Sequence, residues 1–320
     1  MRDTGMKDTG MKDTDMADAD MRDAEERTPP PPDGDRARLE ARILADHPRM
    51  GPDDSFRFGC HPGVSCFKKC CADVNIFLSP YDVLRLKRRL GMTSGEFLEK
   101  HAILPVEKGM KTPVVVLRMG TDAAKSCPFL VEAGCGVYAD RPWPCRMYPL
   151  GLAAQKDTRD GWRGERFHYL LKEEECRGFE EAGEWTVSRW LEAQGVPEYD
   201  EWGDAFKELT LHDFFEKGGI LSPERMEMFY TACYDLDRFR KFVFGTSLLN
   251  RFDVDEDFVE EMRTSDEALL RFSFLWLRFA LFGEKTMRVK EDALEEMGAK
   301  MRRQGRKVPA PSAPAAEESR

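Results

Sequence analysis

The sequence has no C-x2-C pair, no glycine-rich phosphate loop, no nucleophile elbow and no HExxH. Absence of the last three removes the commonest nucleotide-binding, hydrolase and zinc-protease readings. It does not exclude an S-adenosylmethionine site, whose glycine pattern is too loose to read from one chain. The missing C-x2-C counts against zinc knuckles and ribbons and against the ferredoxin run. No positively charged start leads into an apolar run and a small-residue cleavage site, so the cytoplasm is the expected compartment. The most apolar helical run, Ala268 to Phe282, is shorter than the roughly 20 residues that span a bilayer and carries Arg271 and Arg278. It reads as a core helix with no membrane span, its aromatic residues packed inside and the two arginines forming a solvated edge. A net charge of −10 argues against general nucleic-acid binding, which needs a basic surplus.

What is present is enough apolar material for a core, 41% of 320 residues, under a heavily charged surface. Residues 1–25 are five pentapeptides, MRDTG, MKDTG, MKDTD, MADAD and MRDAE. A period of five fits neither helix nor strand, and four prolines follow, so 1–34 is expected to be a disordered tail. A short amphipathic helix is expected over 36–47, ahead of Pro48. Ser79-Pro80 with Asp82 and Gly91 marks a helix, and the Thr93-Ser-Gly-Glu96 capping box starts another. Short strands are expected at 74–78, 112–117 and 166–170. From 186 the pattern turns helical: 187–194, 198–217, a long helix from Ser222-Pro223 to about Phe244, and two or three more over 254–303. The expected organisation is a cysteine-rich domain over 35–185, a helical region over 186–305 and a disordered tail over 306–320. The fold class is α+β and α-rich, with a small irregular metal-centred subdomain of short strands packed against the helical C-terminal region.

The nine cysteines carry the chemistry. Cys60-x5-Cys66-x3-Cys70-Cys71 and Cys127-x7-Cys135-x9-Cys145 form two groups, and Cys176 follows. Between Pro128 and Gly151 so many Pro and Gly intervene that no long helix or strand can form. Bound metal would supply the cross-links such loops lack. Soft thiolates select zinc or iron–sulfur clusters and exclude calcium and magnesium. Disulfides need an oxidising compartment to which nothing in the sequence points. Cys66-x3-Cys70 would begin the cluster motif of radical S-adenosylmethionine enzymes, but the third position is Asp73, and that reading fails. Neighbouring Cys70 and Cys71 are expected to face different ligand sets, or one of them to be a second-sphere or reactive thiol. Cys233, alone on an apolar helix, is expected in the core. Asp82, Arg141 and Arg146 are candidates for the shell around the thiolates, the arginines offsetting negative charge, although Asp82 and Arg146 could equally serve as a cap and an ion pair. His61, beside Cys60, could replace a thiolate, but a loop histidine is more often exposed.

Several motifs in order resemble the YkgJ-type cysteine-cluster proteins, whose zinc- or iron-chelating domain is named for its CxxCxxCC start. They are Cys66 to Cys71, Leu78-Ser-Pro-Tyr-Asp-Val-Leu-Arg-Leu86, Cys127-Pro-Phe-Leu130, Cys135-Gly-Val-Tyr138, Arg141-Pro-Trp-Pro-Cys-Arg-Met-Tyr-Pro149 and Cys176. The likeness covers about 58–200. At its front the gaps are five and three in place of two and two, which makes Cys60 the least secure ligand. The candidate metal ligands are Cys60, Cys66, Cys70, Cys71, Cys127, Cys135, Cys145 and Cys176, a subset of which is expected to hold a cluster, and the resemblance implies binding of zinc or an iron–sulfur cluster. Three functions follow as expectations: a cluster protein with a redox or cluster-dependent role; a structural zinc module that presents the helical half to a protein partner; and a protein lysine N-methylase using S-adenosylmethionine, since some members of the family are described as flagellin lysine N-methylases.

Overall fold

Ser79 and Asp82 close a reciprocal cap: the Asp82 N–H donates to Ser79 Oγ at 3.1 Å and the Ser79 N–H to Asp82 Oδ2 at 2.7 Å. With Pro80 at the first helical position and Gly91 left-handed at φ 64° past the end, this fixes the helix Pro80–Leu90 at both termini. Thr93 and Glu96 repeat the device for the helix Ser94–His101. In the computed structural model of the protein, the residues described are 48–105, 109–154 and 166–295. The helix expected over 36–47 and the tails expected over 1–34 and 306–320 lie outside them.

The protein is an α-rich α+β fold with several small antiparallel sheets. Phe77–Leu78, Val115–Leu117 and Ala102–Ile103 form a three-stranded sheet with Val115–Leu117 in the middle. The first of these is shorter than 74–78, since only Phe77 and Leu78 find partners, opposite Val116 and Val115. Ser55–Arg57 pairs with Glu184–Thr186, and Leu150–Ala154 with Arg166–Leu170. Before the strand Leu150–Ala154 begins, the segment from Cys127 carries a hairpin of two-residue strands, the 3-10 turn Tyr138–Asp140 and the five-residue helix Trp143–Met147.

The helical half departs from the expected pattern at two breaks. The helix Val196–Thr210 stops short of Asp213–Glu216, because His212 accepts from the Phe214 N–H at 3.0 Å and starts a new turn. The run from Ser222 divides into Pro223–Cys233 and Leu236–Gly245. Asp235 is the cause: its carboxylate accepts from the Arg238 N–H and from the buried Ser94 Oγ, so a short polar side chain outcompetes the helix. Glu256–Thr264 and Asp266–Phe282 complete the described helices of this half.

Apolar faces of both halves share one core. Tyr81, Leu84, Leu86 and Phe97 meet Tyr199, Trp202, Phe229, Phe239, Phe272 and Trp276, and Cys233 is fully buried among them. Tyr81 stacks on Trp202 with ring centroids 5.1 Å apart. On the Asp266–Phe282 helix, Phe272, Phe274 and Trp276 are buried, while Arg278 pairs with Glu208 and Glu284 and Arg271 lies over the Trp202 ring. Among the described residues no helix is long and apolar enough to cross a membrane. A second, smaller core of Phe56, Phe58, Met147, Leu150, Val187, Trp190 and Val196 lies under the cysteine loops.

One buried charge cluster joins the halves. Lys87 Nζ lies 2.8 Å from Asp266 Oδ2 and 3.3 Å from Asp237 Oδ2, and Arg240 donates to Asp266 Oδ1 at 2.7 Å. Burial alone would raise the Asp266 carboxyl, but the Lys87 and Arg240 contacts outweigh it and hold it below the usual range; Asp237 is also lowered against burial, chiefly by the Ser94 hydrogen bonds and then by Lys87. Depressed carboxyls stabilise the fold above their unfolded value of about 4, and that contribution is lost as pH falls through the folded values. Replacing Lys87 by Met strips the cluster of its buried cation and is expected to cost about 3 kcal/mol near neutrality. It should also flatten the loss of stability below about pH 4, which urea unfolding across pH would measure.

Candidate metal centre

The first cysteine group is laid on successive tight turns. Val64 N donates to His61 O, Phe67 N to Val64 O, Lys69 N to Cys66 O and Cys71 N to Lys68 O. Lys68 is left-handed at φ 74° and opens the three-residue turn Lys69–Cys71 that carries the adjacent thiols. The Cys71 carbonyl then accepts from the Cys127 N–H at 2.7 Å, and Ala72 bridges to Ser126. Cys127 leads into the hairpin Leu130–Val131/Gly134–Cys135, in which Leu130 stands opposite Cys135 and its N–H bonds the Cys127 carbonyl at 3.0 Å.

Cys145 and Cys176 arrive on separate supports. Cys145 lies in the helix Trp143–Met147, whose leading N–H, that of Trp143, is capped by Asp82 Oδ1 at 2.8 Å. Beyond Cys176, the Arg177 N–H points at Cys66 Sγ at 3.1 Å, and Gly59 N bonds Gly178 O at 2.9 Å. Gly178 permits this approach, since a Cβ there would stand 2.6 Å from the Phe58 ring and 2.7 Å from Gly59 O.

All nine cysteines are reduced, and eight of them lie in this region, with Cys233 apart in the main core. Burial, then Cys70, Cys66 and Cys176, push the Cys60 thiol up to about 11, with Arg141 opposing. Burial, then Cys127, Cys135 and Asp82, push Cys145 up to about 12, again against Arg141. Cys70 and Cys71 share a hydrogen bond: it lowers Cys70 to about 6 and drives Cys71 far up, aided by burial and by Cys127 and Cys145. Burial followed by Cys135 raises Cys127. Thiols crowded in this way oppose one another's ionisation, and a bound cation would relieve that opposition. The soft donor set therefore fits zinc or iron. Among the described residues, however, no three His, Cys, Asp or Glu side chains are closed into coordination geometry. The thiols are neighbours and not a finished polyhedron.

The three candidate shell residues differ in what they touch. Asp82 is buried and spends its carboxylate on the N–H groups of Ser79 and Trp143; burial pushes it up against those bonds and the nearby Arg146. Arg141 lies over the Tyr138 ring, donates to the Tyr138 carbonyl and to Gln194, and faces Cys145, Cys135 and Cys60. Arg146 turns away, binding the carbonyls of Arg141, Ala139 and Gln194 and the Tyr199 hydroxyl. His61 is occupied, with Nε2 3.2 Å from Glu181 and Nδ1 accepting from the Gly63 N–H. Tyr148 is a residue the sequence did not single out. Its buried hydroxyl has no hydrogen bond of good geometry, and burial followed by the neighbouring Cys176 raises it. Its position inside the Arg141 to Pro149 motif was the available signal.

Crowded reduced thiols on irregular loops define a soft-metal-chelating module. Residues 59–181 match the CxxCxxCC family, described as "Putative zinc- or iron-chelating domain". No curated protein and no solved structure matches the chain.

Replacing Asp82 by Ala leaves the Trp143 and Ser79 amides buried without acceptors, at an expected cost of about 2–3 kcal/mol. Denaturant unfolding would read that loss, and accelerated hydrogen exchange at the Trp143 amide would place it at the start of the Cys145 helix.

Proposed function

We propose that this is a metal-binding protein holding an iron–sulfur cluster on thiols drawn from Cys60, Cys66, Cys70, Cys71, Cys127, Cys135, Cys145 and Cys176, in a redox or cluster-dependent role. The observation that supports the reading is the crowding of eight free thiols, among which burial and neighbouring thiols raise Cys60, Cys71 and Cys145. The absence of C-x2-C spacing favours a cluster over a zinc ribbon. A bound cluster would supply one-electron transfer, its potential set by charge and hydrogen bonds around the sulfurs. The chain's own part is to hold the thiols on tight turns, to place the Arg141 cation beside them, and to offer N–H and O–H donors from Arg177 and Tyr148. Asp82 and Arg146 act at one remove, by fixing the helix that carries Cys145.

A structural zinc module presenting the helical half to a protein partner is the second reading. What favours it is the apolar surface left open there at Ile220 and Leu211, 77% and 46% exposed.

Iron, zinc and acid-labile sulfide measured on anaerobically purified protein, with its visible spectrum, separate the two. Iron with matching sulfide and a broad brown absorbance supports the cluster; stoichiometric zinc without colour moves the assignment to the zinc module. In either case Cys70→Ser and Cys145→Ser are expected to release metal and make 127–151 more sensitive to protease. Full metal content with unchanged proteolysis in both variants would overturn the reading.

A further inference from the structure

Backbone and hairpin bonds sort six of the eight thiols into two sets of three, and charge places Cys70 and Cys145 beside them. Cys60 and Cys66 are tied to the Cys176 segment by the Gly59–Gly178 bond and by the Arg177 N–H on Cys66 Sγ. The Phe58 N–H extends this seam to Gly183 O, and His61 extends it to Glu181. None of these bonds reaches the second cysteine group, which the first turn meets instead through Lys68 Nζ on the Glu132 carbonyl at 2.9 Å. Cys71, by contrast, is bonded through its carbonyl to Cys127, whose hairpin carries Cys135, and the Asp73 N–H reaches Lys125 O.

We propose that the module holds two metal sites of four thiols each, Cys60/Cys66/Cys70/Cys176 and Cys71/Cys127/Cys135/Cys145, separated at the peptide bond joining Cys70 to Cys71. The inference rests on the metal-binding reading above and adds the number and membership of the sites. Electrostatic neighbourhoods follow the same partition. Cys60 responds to Cys70, Cys66 and Cys176, whereas Cys145 responds to Cys127 and Cys135, and Cys71 to Cys127 and Cys145. The cross-set pair among these is Cys70 with Cys71.

Four thiolates are the full ligand complement of a tetrahedral zinc or iron–sulfur site, so neither set needs a donor from elsewhere. That also accounts for His61, which is engaged by Glu181 and Gly63. A divalent ion on four thiolates keeps a net negative charge, and two such sites side by side repel. Arg141, 7% exposed, acts on a thiol of each set, Cys60 in one and Cys145 in the other, and its charge would offset part of that repulsion. Each set has its own further neighbour, Tyr148 beside Cys176 and Asp82 beside Cys145.

Anaerobic titration of the full-length apoprotein with cobalt(II), followed through its thiolate charge-transfer and ligand-field bands, counts the sites. Two equivalents per chain are expected. Cys66→Ser and Cys135→Ser should each halve the bound cobalt, and the two together should abolish it. Cys127→Ser combined with Cys135→Ser, both in one set, should still leave half. Gly178→Ala removes no thiol but forces the Phe58–Gly59 strand from the Cys176 segment, and it should weaken the first site while sparing the second. One equivalent in the unaltered protein, or loss of all cobalt in either single variant, overturns the partition while leaving metal binding standing. No cobalt bound by the unaltered protein overturns the metal reading and the partition with it. If a variant fails to fold by circular dichroism, the stoichiometry of the unaltered chain, two against one, still decides.

Discussion

The Asp82 carboxylate is the joint on which this structure turns. It is buried in the first turn of the helix Pro80–Leu90, returns a hydrogen bond to the residue that caps that helix, and with its other oxygen caps the Trp143–Met147 helix. A desolvated carboxylate is tolerated only when donors surround it, and here each oxygen has a backbone N–H. The same side chain thereby orients the packed face of the main core and the loop that delivers Cys145. Removing it would disturb the core and the thiols together, which makes a separation of stability from metal chemistry at this position unattainable.

Much of the scaffold was legible because its signals are local. Ser79-Pro80, Thr93 with Glu96, and Ser222-Pro223 each satisfy their own orphaned N–H groups within a few residues, and helices begin there. Cys233 was assignable to the core from its apolar helical surroundings. The break at Asp235 was not legible, because it depends on a hydroxyl at Ser94, far away in sequence. Periodicity alone continues a helix through such a site. Strand partners were invisible for the same reason: Ser55–Arg57 carries no mark of its pairing with Glu184–Thr186.

For the thiols, sequence supplied the donor chemistry and the structure supplied the neighbours. Spacing placed Cys70 next to Cys71 and suggested different faces; in the fold the two thiols share a hydrogen bond, and the Cys71 carbonyl accepts from Cys127. The two arginines of the Arg141 to Pro149 motif looked alike as counter-charges. In the fold they separate: Arg141 faces sulfur, while Arg146 is consumed by three carbonyls and a tyrosine hydroxyl. Tyr148 escaped notice because a tyrosine in an aromatic-rich motif reads as packing until its hydroxyl is seen without a partner.

The pairing of Ser55–Arg57 with Glu184–Thr186 also sets an order of events during synthesis. The strand leaves the ribosome early, and the thiols from Cys60 to Cys145 follow it, but the seam that closes over them is among the last parts of the module to be translated. Closing so long a loop costs entropy that no local contact repays in advance. The nascent chain therefore spends most of the module's synthesis as an open string of soft ligands, and capture of the correct metal becomes a contest between the speed of translation and the metals available nearby.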